Sequence, residues 1–194
     1  ISHDLRTPLT RMKLQLALIK DKNLINRFSN DIDEMEKMLN EYLQFSSESN
    51  KEQTEKFELN ELLKEIISNF DNSMIKFNIG EKIYFNGRKL LIQRCLNNLI
   101  ENSIKFSNLI EINFQKLKSN ILIIVEDNGP GIPISERENV FKPFYKIDKS
   151  RSENSSSVGL GLSISSDIIR SHGGKIDLSD SKMGGLKVII SLPF

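Results

Sequence analysis

The chain begins Ile-Ser-His-Asp-Leu-Arg-Thr-Pro-Leu, residues 1–9, and this stretch opens a helical pattern. Apolar residues recur at alternating spacings of four and three, which is the period of a helix in a coiled-coil-like bundle. The apolar seam consists of Leu5, Leu9, Met12, Leu16 and Ile19. On this heptad His3 lies outside the seam and Thr7 follows it one turn later on the same face. We predict a helix to about Lys20, bent at Pro8, that presents a histidine to solvent.

A second helical pattern follows a short turn at residues 21–23. Its seam again has spacings of three and four, in Ile25, Phe28, Ile32, Met35, Leu39 and Tyr42. Two helices joined by so short a turn form an antiparallel hairpin, and one hairpin cannot enclose both apolar stripes. Residues 1–47 therefore predict half of a four-helix bundle completed by a second hairpin. The alternative is that both helices pack on their own globular domain.

A histidine followed directly by an acid can support nucleophilic chemistry. An unperturbed imidazole has a pKa of about 6.5 and is largely neutral near neutral pH. Asp4 can hold one ring nitrogen of His3 and accept a proton while the other nitrogen attacks. For an isolated His-Asp pair, the alternative is a solvated surface histidine.

Composition excludes several functional classes. The 194 residues carry 27 basic and 26 acidic side chains, so bulk charge implies no nucleic-acid partner and no attraction to a membrane. No apolar run is long enough to cross a bilayer, so we expect no direct membrane contact from this stretch. The single cysteine, Cys95, can form no internal disulfide, which fits a reducing compartment. Because residue 1 already lies inside an uncapped helical pattern, we expect a piece of a longer protein.

The texture of the sequence changes after a polar stretch, residues 48–57, which we predict to be a linker. Residues 58–194 alternate loosely between helical and strand patterns. We predict helices at 59–70, 88–106 and 160–172, and strands at 76–79, 82–85, 110–117, 120–126, 175–178 and 186–192. The predicted fold class is α+β, in which the hairpin is followed by an α/β sandwich with one mixed sheet and helices on one face.

The long predicted helix carries a polar face formed by Asn98, Asn102 and Lys105. Amide oxygens can complete a magnesium shell beside phosphate oxygens and waters, and a lysine can neutralise phosphate charge. Taken alone, this face could equally be a solvated helix surface.

Two glycine-containing stretches and the segment between them suggest a nucleotide site. In the first, at 127–133, glycines let the backbone approach a flat ligand while Asp127 accepts from an exocyclic amine. In the second, at 158–164, glycines open a helix whose exposed amides suit a phosphate. Aromatic residues at 141–146 precede a polar run through Asp148, Arg151 and Ser155–Ser157, which predicts a mobile lid. A tight turn and a surface loop are the alternatives.

In this order, the motifs resemble those of the sensor histidine kinases of two-component systems. Residues 2–9 resemble the phosphoacceptor box, 98–107 the N box, 127–132 the G1 box, 141–144 the F box and 159–164 the G2 box. The sequence Asp-Leu-Arg-Thr-Pro-Leu-Thr-Arg at residues 4–11 and the short turn between the helices are most similar to those of the EnvZ-type osmosensor branch. The resemblance implies a dimerisation and phosphotransfer hairpin followed by a Bergerat-fold ATP-binding domain, at 58–194, like those of gyrase, Hsp90 and MutL.

The resemblance also implies roles for particular residues. His3 would be the phosphoacceptor, Asp4 its general base and Thr7 the residue that positions water when a partner is dephosphorylated. Asn102 would bind Mg²⁺ and Asp127 the adenine amine. The implied nucleotide-binding residues are Asn98, Asn102, Lys105, Phe106, Asp127, Gly129, Gly131, Ile132, Lys146, Arg151, Gly159, Leu160, Gly161 and Leu162.

The implied activity is ATP- and Mg²⁺-dependent autophosphorylation of His3, transfer to an aspartate of a response regulator receiver domain, and phosphatase activity toward that regulator. The implied setting is a homodimer in the cytoplasmic portion of a bacterial inner-membrane sensor. The sequence departs from the family where Lys146 replaces a frequent arginine, Phe106 a frequent tyrosine, and Ser156-Ser157 a Gly-Gly pair.

One other function remains open, an ATP-binding module whose nucleotide only switches its shape. A third function, a gyrase-like ATPase, would need a water-activating glutamate four residues before the magnesium asparagine, where this chain has Asn98. Because an amide has no useful basicity, the sequence disfavours the ATPase.

Overall fold

The computed structural model describes residues 2–16, 18–19, 21–49, 52–70, 72–78, 80–147 and 159–194. Its helices are α1 (Ser2–Leu16), α2 (Lys22–Ser49), α3 (Leu59–Ile67), α4 (Lys89–Phe106) and α5 (Gly161–Ser171). Its strands are β1 (Glu55–Glu58), β2 (Ile75–Phe77), β3 (Tyr84–Gly87), β4 (Ile110–Lys116), β5 (Asn120–Asp127), β6 (Lys175–Asp180) and β7 (Leu186–Pro193). Short 3₁₀ turns lie at Asn72–Met74, Ile134–Glu136 and Asn139–Phe141.

Helices α1 and α2 form the predicted hairpin, with a different turn. α1 ends at Leu16, four residues before the predicted end, and α2 already begins at Lys22. Asp21 explains the early start, because its Oδ1 accepts a hydrogen bond from the Leu24 N–H at 3.2 Å and so caps the helix. The prediction that residues 21–23 form the turn was therefore wrong.

The hairpin leaves much of its apolar seam exposed. Lys13 joins the two helices through ion pairs with Asp33 and Glu36, at 2.8 and 2.6 Å. The seam residues Met12, Phe28, Met35 and Tyr42 nevertheless remain 41% to 55% exposed. Two helices alone therefore cannot bury this apolar seam, as the sequence pattern indicated.

The second half of the chain contains the predicted mixed sheet. Its five strands lie in the order β2-β4-β5-β7-β6, where only the β2–β4 pair is parallel. Alternate side chains of the central strands point to one face and pack under α3, α4 and α5. Ile100 of α4 and Ile112, Ile123 and Ile190 of the sheet are fully buried there. The α+β fold class is confirmed, with β5 ending at Asp127 beneath α4.

The polar stretch predicted to be a linker contains regular structure. α2 extends to Ser49, and residues 55–58 form β1, which pairs antiparallel with β3 in a separate two-stranded sheet. Phe57 of β1 packs edge-to-face on Phe85 of β3, with ring centroids 6.0 Å apart. A strand with one inward-facing apolar residue and charged neighbours looks like a linker in sequence. The predictions of a 48–57 linker and of a single sheet are corrected accordingly.

The start of α4 is fixed by two side chains from outside the helix. The Glu52 carboxylate accepts hydrogen bonds from the N–H groups of Leu90 and Leu91, at 2.5 and 3.1 Å. The Nε2 of His172 accepts from the Arg88 N–H at 3.1 Å, while its Nδ1–H donates to a carbonyl of α5. Burial lowers the pKa of His172, which favours the neutral ring that can accept this bond. α4 therefore has a fixed position relative to α5.

Candidate nucleotide site and phosphoacceptor helix

Asp127, the last residue of β5, is a buried carboxylate with a fixed orientation. It is 5% exposed. Its Oδ1 accepts hydrogen bonds from the N–H groups of Gly129, at 2.9 Å, and Leu186, at 3.0 Å. Its Oδ2 accepts from the Ser103 hydroxyl at 3.2 Å. Since the three donors come from the loop after β5, from β7 and from α4, the carboxylate cannot rotate without breaking several bonds.

The turn before β7 approaches Asp127 so closely that only glycine fits. A Cβ atom on Gly185 would lie 2.3 Å from the Asp127 Oδ1 and 2.5 Å from the Gly129 nitrogen. Distances this short exclude any side chain unless the backbone moves. Gly185 and Leu186 were missed in the sequence analysis, although the Gly184-Gly185 pair immediately before a strand was a usable signal.

The polar face of α4 meets the glycine stretch at the start of α5. The Asn98 side-chain amide donates from Nδ2 to the Gly161 carbonyl at 3.2 Å. A Cβ atom on Gly161 would be 3.8 Å from the Asn102 Nδ2, so Asn102 lies beside the same glycine. The structure thereby brings together two stretches that are more than fifty residues apart in sequence. The N-terminus of α5 adds backbone N–H groups suited to an anion.

The side chains at this junction fit a cation that also binds a second, oxygen-rich ligand. Within the described ranges, no cluster of three or more His, Cys, Asp or Glu residues could hold a metal alone. The Asn98 Nδ2 is occupied by the Gly161 carbonyl, so its Oδ1 is the atom left for a ligand. Amide oxygens joined by phosphate oxygens and waters are a normal Mg²⁺ environment.

Positive charge is concentrated beside this junction. The pKa of Lys105 is lowered, first by burial and then by the ammonium groups of Lys146 and Lys37. The Lys105 Nζ also lies 5.1 Å from the Phe106 ring centroid. Lys146 forms an ion pair with Glu34 of α2, with Nζ and Oε1 2.9 Å apart. Three neighbouring ammonium groups at this place attract an anionic ligand.

The residues on either side of the predicted lid are hydrogen-bonded to each other. The Phe144 N–H donates to the Gly159 carbonyl at 2.9 Å. Gly159 has φ of +80°, and a Cβ atom there would be 3.0 Å from backbone atoms of Phe144 and Tyr145. Both the left-handed backbone and the close contact require glycine. Asp148, Arg151 and Ser155–Ser157 lie outside the described residues.

The remaining predicted residues line or support the site to different degrees. Gly131, with φ of +68°, faces the Gly185 carbonyl, and the Ile132 carbonyl accepts a hydrogen bond from the Arg137 Nε at 3.1 Å. Leu160 is buried in the core and Leu162 packs against it. The side chain of Leu160 thus supports the site from below.

The predicted phosphoacceptor residues lie on α1. His3 and Asp4 fall within the helix, and their side chains lie outside the described part of the structure. Thr7, one turn further along, is exposed. The helical backbone at these positions agrees with the predicted period.

Two family models match the chain. Residues 87–194 match the histidine kinase-, DNA gyrase B- and HSP90-like ATPase family, and residues 1–51 match the His Kinase A (phospho-acceptor) domain. The first match covers the Asp127 site and the junction of α4 with α5. The second covers the hairpin, and the combination of the two supports protein-histidine kinase activity.

Two curated proteins are similar to the chain in sequence, and one solved structure is similar to it in fold. The chain is 33% identical over 196 residues to the sensor histidine kinase GtrS of Pseudomonas aeruginosa, covering all of this chain and 40% of that protein. It is 32% identical over 210 residues to the sensor histidine kinase CpxA of Escherichia coli, covering 100% and 45%. Full-length ShkA in complex with AMPPNP has a similar fold, with a TM-score of 0.73, 18% identity, and coverage of 100% of this chain and 44% of that one. The chain thus spans less than half of the length of these relatives.

Proposed function

Because this chain belongs to the histidine kinase-, DNA gyrase B- and HSP90-like ATPase family and also carries a His Kinase A domain, we propose that it is the catalytic core of a sensor histidine kinase. Its reaction transfers the γ-phosphoryl group of ATP to His3. The bond between the γ-phosphorus and the bridging oxygen breaks, a bond from phosphorus to a ring nitrogen forms, and ADP leaves. Asp4 takes up the imidazole proton and so keeps the attacking nitrogen nucleophilic.

The observation that carries this proposal is the buried Asp127, whose carboxylate accepts three hydrogen bonds and lies close to the contact between α4 and α5. Asp127 accepts from the exocyclic amine of adenine, and its Oδ2 is the oxygen with only one protein donor. The phosphate tail extends toward the glycine-led start of α5 and the ammonium groups of Lys105 and Lys146. In ShkA, whose fold is similar, the ligand is the ATP analogue AMPPNP.

Mg²⁺ is the metal that the junction fits. Asn102, together with the free Oδ1 of Asn98, would hold it beside the phosphates. When bound, the ion neutralises charge on the phosphate oxygens. Lys105 would also bind the phosphates. Its pKa is lowered first by burial and then by the ammonium groups of Lys146 and Lys37, and a bound anion would relieve the repulsion among these three groups.

We further propose that the hairpin pairs with a second copy and that the phosphoryl group passes from His3 to an aspartate of a response regulator. The exposed seam and the His Kinase A match support the dimer. The names of the curated relatives, both sensor histidine kinases, support a sensor, and we propose that this chain lies in its cytoplasmic portion. Within the described residues, no helix has the length and apolarity needed to cross a membrane. Assignment to the EnvZ-type branch stays a prediction.

A phosphatase step on the same helix is a second proposed activity. It is favoured by the exposure of Thr7, which lies one helical turn after His3 and can hold a water near a bound acyl phosphate. Simple ATP hydrolysis is disfavoured, because Asn98, at the position of the water-activating glutamate, uses its amide to bind the Gly161 carbonyl.

The decisive experiment is incubation of the chain with γ-labelled ATP and Mg²⁺. We expect a label that is lost in acid and retained in base, as for a phosphorylated histidine, and we expect His3→Gln to abolish it while ATP affinity stays within about twofold. The nucleophile and the nucleotide site lie in different domains, which is why they should separate. An acid-stable label would contradict the kinase. A protein that binds ATP and never becomes labelled would be a nucleotide-dependent switch.

A further inference from the structure

Ser103 is a buried hydroxyl on the nucleotide-facing side of α4 for which neither the sequence motifs nor the comparisons give a role. It is 4% exposed and follows Asn102 directly. Its Oγ donates to the Asp127 Oδ2 at 3.2 Å. Its backbone carbonyl is engaged separately by the N–H and hydroxyl of Ser107, at 2.9 and 2.6 Å. The side chain therefore points from α4 to the carboxylate at the end of β5.

The two oxygens of Asp127 differ in how many protein donors they receive. Oδ1 is bound by the backbone N–H groups of Gly129 and Leu186, and Gly185 lies so close that a Cβ atom on it would be 2.3 Å from the same oxygen. Oδ2 receives only the Ser103 hydroxyl. A carboxylate oxygen can accept more than one hydrogen bond, so Oδ2 is the atom that remains for a ligand.

Ser103 also determines which kinds of ligand group Oδ2 can meet. A hydroxyl has one hydrogen, and here that hydrogen is directed at the carboxylate. The hydroxyl oxygen and Oδ2 therefore both present lone pairs at this point. A ligand amine can donate hydrogen bonds to these two acceptors. A ligand carbonyl is itself an acceptor, so it would lose its hydrogen bonds to water and find no donor here.

We propose that Ser103 is a positioning residue that sets base specificity, by holding the Asp127 Oδ2 in line for the exocyclic amine of a 6-aminopurine. This inference rests on the proposed function, which places that amine on Asp127. Removing the hydroxyl leaves Oδ2 without a protein donor and open to water, so the amine gains less on binding. Ser103 thereby acts on the ligand only through Asp127.

The test compares ligands that differ only at position 6 of the purine. Binding of ATP and of purine riboside 5′-triphosphate, which lacks the amine, is measured by calorimetry in the wild-type chain, Ser103→Ala and Ser103→Thr. We expect Ser103→Ala to weaken ATP roughly fivefold, the scale of one hydrogen bond, and to leave purine riboside triphosphate within about twofold. Ser103→Thr, which keeps the hydroxyl, should restore most of the preference for ATP.

Ser165→Ala is the matched control, because Ser165 is a buried serine on α5 whose hydroxyl lies near the Cys95 thiol and away from Asp127. It should not change the ratio of the two affinities. If Ser103→Ala weakens both ligands equally, Ser103 is only structural and the inference is overturned.

Asp127→Asn separates this failure from failure of the proposed function. If the wild type prefers ATP and Asp127→Asn loses the preference while Ser103→Ala keeps it, the amine lies on Asp127 and only the role of Ser103 is refuted. If the wild type does not prefer ATP, the amine is not bound at Asp127 and both assignments fail. Labelling of His3 remains an independent measure of the kinase.

Discussion

The α1–α2 hairpin and the domain that begins at β1 differ in how far they bury their apolar residues. In the domain, α3, α4 and α5 cover one face of the sheet, and Ile100, Ile112 and Ile190 are fully buried. In the hairpin, Phe28 and Tyr42 occupy positions of the same apolar seam and remain 47% and 55% exposed. The domain thus encloses its own core, whereas the hairpin contains half of one. A surface of this kind predicts a partner, and the heptad period predicts that the partner is another helical pair.

The comparison can be tested most strongly by truncating one apolar residue in each region. Ile100→Ala removes a fully buried side chain from α4 and should lower the free energy of unfolding of the domain by about 2–5 kcal/mol. Phe28→Ala should leave that free energy nearly unchanged and shift the chain from dimer to monomer. Calorimetry and sedimentation measure the two effects.

Leu117→Ala is the matched control for Phe28→Ala, because Leu117 is also 47% exposed and lies just after β4, away from the seam. It should alter neither stability nor oligomeric state. A Phe28→Ala chain that stays dimeric and becomes unstable would mean that the hairpin packs on its own domain.

Elements with a strong hydrophobic period were predictable from the sequence. The prediction for α4, at 88–106, differs from the structure by one residue, and β4, β5 and β7 each agree within one residue at either end. Long apolar patterns succeed because burial fixes both the type of element and its register. The resemblance of the nucleotide motifs likewise led to residues such as Asn98 and Asp127, which the fold brings to one region.

What could not be predicted depends on contacts between distant segments. β1 contains one inward residue, Phe57, so its strand character comes from pairing with β3 instead of from its own pattern. A serine on a helix indicates no particular role in sequence, and the role of Ser103 becomes visible only because β5 places Asp127 within hydrogen-bond distance of it. The sequence identifies Gly185 only as a turn glycine, and the structure shows that any side chain there would collide with the Asp127 carboxylate. These features depend on tertiary structure that a local pattern does not encode.

A second prediction concerns the hairpin as a chemical surface. Thr7→Ala should leave autophosphorylation within a few fold, because transfer from ATP to His3 requires no hydroxyl one turn later. Removal of phosphate from a regulator requires a water held in line with the acyl phosphate, so this rate should fall about tenfold or more, or ~1.4 kcal/mol. Thr7→Ser keeps the hydroxyl and should restore it. If both rates drop together in Thr7→Ala, Thr7 supports the helix ahead of Pro8 instead of positioning water.

The smallest expected effect lies where the two regions touch, at the ion pair between Glu34 of α2 and Lys146. Glu34 is about half exposed and Lys146 is 19% exposed, so the pair contributes no more than about 1 kcal/mol. Lys146 also stands close enough to Lys105 to lower its pKa. Glu34→Gln should therefore release Lys146 for the phosphates and strengthen ATP binding by up to about fivefold at low salt, with less effect as salt rises.

Glu36→Gln is the matched control, because it removes the same charge from α2 while its partner, Lys13, belongs to the hairpin. If both variants strengthen ATP binding equally, α2 acts on the site only through its overall charge; a response confined to Glu34→Gln means that hairpin and nucleotide compete for one ammonium group.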